Sequence, residues 1–110
     1  MDLHTRFGDI VKAIINEYAA LKPSYGDVKV ETVFDEAGGH YELLYTGWNR
    51  HRRIHGSVIH IDIREGKAWI QHDGTAGIAE RLVAAGIPPD HIVLAFRHPE
   101  YRRYTSFAVA

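Results

Sequence analysis

The run from Ile54 to Gln71 constrains the fold most. Within it Ile59, Ile61 and Ile63 alternate with Val58, His60, Asp62 and Arg64. That is the period-two pattern of a strand with one apolar and one polar face. Glu65-Gly66 follows directly and leads into a second short run, Lys67 to Gln71. A two-residue connection of this kind closes a hairpin, so the two strands pair antiparallel.

Two further runs lie upstream. Val28 to Phe34 and His40 to Trp48 flank Asp35 to Gly39, whose two glycines accept positive φ at little steric cost. They predict another hairpin. Val28, Val30 and Thr32 share one face of the first run, and Val33 interrupts the alternation. In the second run Tyr41, Leu43 and Tyr45 share a face, with His40, Glu42, Leu44, Thr46 and Trp48 on the other. Asn49 to Arg53 is polar and basic, which reads as a loop or a strand bend, and Gly56 reads as the mark of a bulge.

Helical spacing appears twice. Leu3, Phe7, Ile10, Val11, Ile14, Ile15 and Tyr18 trace one stripe, predicting a helix over 2–21 with Asp2 as N-cap and Lys22-Pro23 as its stop. Asp73-Gly74-Thr75 opens a second helix, with Asp73 or Thr75 as cap and Ile78, Ala79, Leu82 and Val83 as its apolar stripe. Gly86 stands where a left-handed C-terminal stop belongs. After the Pro88-Pro89-Asp90 turn, Ile92 to Phe96 reads as a buried strand, broken at His98-Pro99-Glu100. Tyr104 to Ala110 is apolar enough to be packed.

These elements predict one α+β domain spanning 1–110. The sheet is mainly antiparallel, a four-strand meander plus a C-terminal strand, with the N-terminal helix and the second helix packed on it. The remaining sheet face, carrying Tyr41, Tyr45 or Trp48, is a candidate surface for self-association into a homo-oligomer.

Composition narrows the chemistry. The formal net charge is −1 and cysteine is absent. A dedicated DNA binder ordinarily carries a basic surplus, because phosphate neutralisation dominates its affinity. Without cysteine there is no disulfide, thiolate nucleophile or Cys-ligated metal. The opening MDLHTRF is unlike a signal peptide, and no apolar run reaches the ~20 residues of a membrane span. A cytoplasmic protein without membrane attachment is the expectation.

Four kinds of residue grouping carry candidate chemistry. His60 and Asp62 lie on one side of a strand and, with His40, His55 or His72, form a candidate metal site. A polar sheet face with hydrogen-bonded histidines accounts for the same residues and is preferred. Asp62 with Glu65 and Lys67 resembles a metal-dependent nuclease pattern, but the hairpin turn splays Glu65 and Lys67 apart. Asp73-Gly74-Thr75 is explained by capping without an anion. The basic groups remain: Arg50, His51, Arg52, Arg53 and His55, and separately Arg97, His98, Arg102 and Arg103. Of these, Arg50, Arg52, Arg53, His55, Arg102 and Arg103 are the candidate contacts to a partner or to phosphate. No catalytic, cofactor-binding or metal-ligating residue is assigned.

Together, HYELLYTGW at 40–48, RIHGSVIHIDI at 53–63, GKAWIQHDGT at 66–75, GIAERLVAAGIP at 77–88, DHIVLAF at 90–96 and the closing YTSFAVA resemble the XisI family. These are the fdxN element excision controlling factors of cyanobacteria. The resemblance covers the whole chain and is looser in the first helix. It departs from the family's pattern at Thr75-Ala76-Gly77, where an acidic pair is missing, and at Arg97-His98-Pro99, where the family has a proline-rich turn.

The resemblance implies an accessory factor that is not an enzyme. Such a factor acts with a companion, XisH, whose relatives resemble the endonuclease fold, while a separate recombinase performs the excision. It implies no catalytic residues and no cofactor. The leading expectation is therefore control of programmed DNA element excision through contact with a XisH-like protein, any DNA contact being indirect. Direct DNA binding through the two arginine patches comes second. A small-molecule or metal-binding domain built on His55, His60, Asp62 and His72 comes third.

Overall fold

A computed structural model describes residues 2–110. The order is helix α1 (Leu3–Ala19), strands β1 (Asp27–Asp35), β2 (His40–Asn49), β3 (Arg52–Arg64) and β4 (Lys67–Asp73), helix α2 (Ile78–Ala84) and strand β5 (Ile92–Leu94). Short 3-10 helices cover Pro89–His91 and Pro99–Tyr104. The five strands form one sheet in sequence order. Its first four are antiparallel neighbours and β5 runs parallel to β4. The α+β architecture expected from periodicity is the one observed. No described helix is long and apolar enough to cross a membrane.

Both helices cover the same sheet face. Phe7, Val11, Ile14 and Ile15 of α1 and Ile78, Ala79 and Leu82 of α2 share one core with Tyr41, Leu43, Ile59, Ile61, Ile63 and Ile70. Burying each of the larger of these side chains contributes about 1.5–3 kcal/mol. Helix α1 starts at its expected cap, where the Asp2 carboxylate accepts from the Thr5 amide at 2.8 Å. Helix α2 stops as expected too. Gly86 holds φ +117, its amide donates to the Val83 carbonyl, and the Ile87 amide donates to Leu82. Those two bonds satisfy carbonyls the helix end would otherwise leave open, and buried Ile87 follows them into the core.

Several local expectations need correction. Asn49 to Arg53 is not a loop. Asn49 pairs with Arg52, so only Arg50 and His51 make the turn, with Arg50 at φ 58. The bulge falls at Val58 rather than Gly56: Leu44 pairs with Ser57 and Leu43 with Ile59, leaving Val58 unmatched. Strand β4 continues to Asp73, and Gln71 is its own extra residue. Helix α2 begins later than Thr75, with Gly77 at the N-cap position and no side-chain cap there.

Asp73 instead reaches forward from the strand end. Its carboxylate accepts from the amides of Thr75 at 2.8 Å, Ala76 at 3.2 Å and Ile78 at 3.1 Å. Strand β5 is only Ile92–Leu94, and Phe96 lies exposed beyond it. Tyr41 is buried under α1, and Tyr45 lies on that same helix-covered side of β2. Of the three aromatics expected on the open face, Trp48 alone stands there, half-exposed.

Candidate functional site

The sheet face away from the helices is the open one, and strand pairing decides what meets on it. Register sets His40 opposite Asp62 and Glu42 opposite His60. Side chains directly across an antiparallel pair lie close enough to interact. Among the described residues Asp62 is the one charged residue that is buried, its side chain 12% exposed. Its Oδ1 receives His40 Nδ1 at 2.7 Å and His60 Nε2 at 2.9 Å. The extra residue in β4 brings Gln71 alongside, and its side-chain amide donates to Asp62 Oδ2 at 3.2 Å.

Both oxygens of this buried carboxylate therefore have partners. The hydrogen bond to Asp62, and then the negative charge of Asp62 itself, raise the pKa of His40 above its ordinary 6.5. Partial desolvation opposes this and the more distant Asp35 adds to it. Among the described residues, His40, His60 and Asp62 form the group of metal-competent side chains whose donor atoms lie within 4.8 Å of one another. His55 and His72 do not join that group. His55 sits farther along β3 opposite Thr46, and His72 is exposed across from His60. Glu65, at φ 54, and Lys67 flank the β3–β4 turn and do not converge on Asp62.

The arginines divide differently from their grouping in the chain. Arg50, Arg52, Arg53 and His55 gather on the exposed β2–β3 hairpin. Arg53 lies 5.2 Å from the centre of the Trp48 ring and donates to the Gly47 carbonyl at 3.3 Å. Arg102 is at the far end of the sheet and is committed internally. It donates to the carbonyls of Arg97 at 3.1 Å and of Ala95 and Val109 at 3.3 Å, and lies over Trp69 at 5.9 Å. Arg103 remains exposed, with one bond to the Tyr104 hydroxyl at 2.9 Å. Trp69 pairs with Asp62, nine residues along β3 from Arg53. At about 3.3 Å per strand residue the two clusters are roughly 25–30 Å apart. They do not make one patch.

Two participants escaped sequence reasoning. Gln71 is brought to Asp62 by a bulge that no residue type announces, and Arg102 reads as a surface charge until its carbonyl partners are seen. The signal available for His40 was indirect. The β2–β3 register that brings it to Asp62 is fixed at the Arg50-His51 turn and shifted by the bulge at Val58.

The XisI protein family model matches residues 1–109. No curated protein sequence matches the chain. Among solved structures, a XisI-like protein from Anabaena variabilis is 37% identical, with TM-score 0.91, and the match covers 97% of this chain and 99% of that one. The fdxN element excision controlling factor XisI from the same organism is 33% identical, with TM-score 0.86, over 99% of this chain and all of that one. Agreement along the full length, in sequence and in fold, makes this chain a member of the XisI family.

Proposed function

We propose that this protein is a non-enzymatic excision controlling factor that acts in the cytoplasm by binding a XisH-like companion. The observation that carries the reading is the end-to-end match to XisI, including a solved structure described as an fdxN element excision controlling factor. The architecture supports it. One sheet face is consumed by the helices, and the other is left open with alternating charge and Trp48. That surface suits a polar macromolecular contact. Bond-breaking is left to other proteins. The test is co-expression with the XisH-like protein of the source genome, followed by affinity capture. A stable complex at micromolar concentration supports the reading, and its absence counts against it.

Direct DNA contact is the second reading, favoured by the grouping of Arg50, Arg52 and Arg53 on one exposed hairpin. It requires duplex affinity that falls steeply with salt, as counterions are released from phosphate. A flat salt titration would remove it. Arg102 is not available to it, because its guanidinium is held by three carbonyls.

A further inference from the structure

We propose that His40, His60 and Asp62 form a binding site for a divalent transition-metal ion of the zinc class on the open sheet face. The donor set is two imidazoles and one carboxylate, which suits zinc, cobalt or nickel far better than magnesium or calcium. The spacing fits. An ion about 2.1 Å from each donor sets tetrahedral ligand atoms roughly 3.4 Å apart. Here the two imidazole nitrogens lie 2.7 and 2.9 Å from Asp62 Oδ1, and all three donors lie within 4.8 Å. Small rotations of the side chains admit an ion in place of the shared hydrogens.

The surroundings are those of a built site. Asp62 and His60 are carried by β3 and His40 by its hydrogen-bonded neighbour β2, so the backbone sets the donors' spacing. Gln71 holds the second carboxylate oxygen, the orienting role that outer partners play around bound metals. The exposure is graded: the side chain of Asp62 is 12% exposed, His60 32% and His40 58%. The His40 side is therefore open, leaving coordination positions for water or for a side chain of a docked protein. Among the described residues, other histidines lack this company. His91 has only its sequence neighbour Asp90, at 2.8 Å.

The test is calorimetric titration of tag-free, full-length protein with zinc at neutral pH, with magnesium as control and cobalt as a spectroscopic reporter. One zinc ion per chain is expected, with no magnesium uptake. Cobalt should give visible absorption bands that require His60. Binding should be lost in His40→Gln and in Asp62→Asn, weakened about tenfold in Gln71→Ala, and unchanged in His55→Ala and His72→Ala. His40 is exposed, so His40→Gln tests the site even if Asp62→Asn fails to fold. The proposal is overturned if zinc does not saturate at one per chain, if His40→Gln binds like wild type, or if His55→Ala or His72→Ala weakens binding as much.

Discussion

Arg102 lies across Trp69, its guanidinium carbon 5.9 Å from the ring centre, and from there it gathers the carbonyls of Ala95, Arg97 and Val109. Arg64 covers the same indole at 4.2 Å, and the indole N–H donates to the Arg64 carbonyl at 3.2 Å. The C-terminal segment is thus tied to the sheet through one charged side chain. Hydrogen bonds from a charged donor are worth about 1.5–3 kcal/mol. Arg102→Ala should therefore cost about 2 kcal/mol in urea unfolding, whereas Arg50→Ala and Arg52→Ala should each stay within about 0.5 kcal/mol. Equal effects at all three positions would contradict the internal role assigned to Arg102.

Gly8 sits inside α1 although glycine weakens a helix by about 1 kcal/mol relative to alanine. The reason is contact: a Cβ there would strike the hydroxyl of Tyr41, which β2 sends up beneath the helix. Gly8→Ala should therefore destabilise, by about 1–3 kcal/mol, despite its better propensity. In a Tyr41→Phe background the cost should shrink by about 1 kcal/mol or more, the size of coupling expected between touching residues. A double-mutant cycle by thermal or urea unfolding reads this directly. Additive effects would rule the contact out.

Gly86 and Gly39 both hold positive φ, at +117 and +74, but their surroundings differ. Around Gly86 a Cβ would meet nothing nearer than 3.9 Å, so alanine pays only for backbone strain, about 1 kcal/mol. At Gly39 a Cβ would run into the Ile63 carbonyl oxygen, across the backbone bond in which the Ile63 amide donates to the Gly39 carbonyl at 2.7 Å. Gly39→Ala should lower the melting temperature several-fold more than Gly86→Ala. A Gly86→Ala variant that melts at the wild-type temperature would overturn the strain argument.

Asp73 serves three backbone amides from one carboxylate, at the point where β4 gives way to α2. Removing an N-terminal cap costs about 0.5–2 kcal/mol. Asp73→Ala should reach the upper end of that range, with Asp73→Asn between it and wild type. Amide hydrogen exchange in α2 should rise in parallel, and unchanged protection there would sink the assignment.

The Asp2 cap carries a pH signature. The hydrogen bond from the Thr5 amide holds the Asp2 carboxyl below its ordinary 3.8. A pKa depressed in the folded state means stability that is present above the unfolded value and lost as pH falls through the folded one. The melting-temperature gap between wild type and Asp2→Ala should therefore be full at neutral pH. It should close on acidification below about pH 3.8, where the carboxyl takes up its proton. A gap that stays constant through that range would show that the charge plays no part.

Local chemistry made most of the elements legible. The Ile59-Ile61-Ile63 alternation, the Glu65-Gly66 turn, the α1 stripe and the Gly86 stop each depend on a few neighbouring residues, and each stands where the sequence puts it. What the sequence could not show depends on how distant segments align. The bulges at Val58 and Gln71, the parallel pairing of the three-residue β5 and the inward turn of Arg102 leave no mark in residue type. The site has the same origin. His60 and Asp62 share a strand face by period alone, but His40 joins them only because backbone hydrogen bonding sets β2 against β3 in one register. Periodicity and turn type belong to the chain itself. Register belongs to the packed sheet, because a shift of one residue would turn every side chain of a strand to the opposite face.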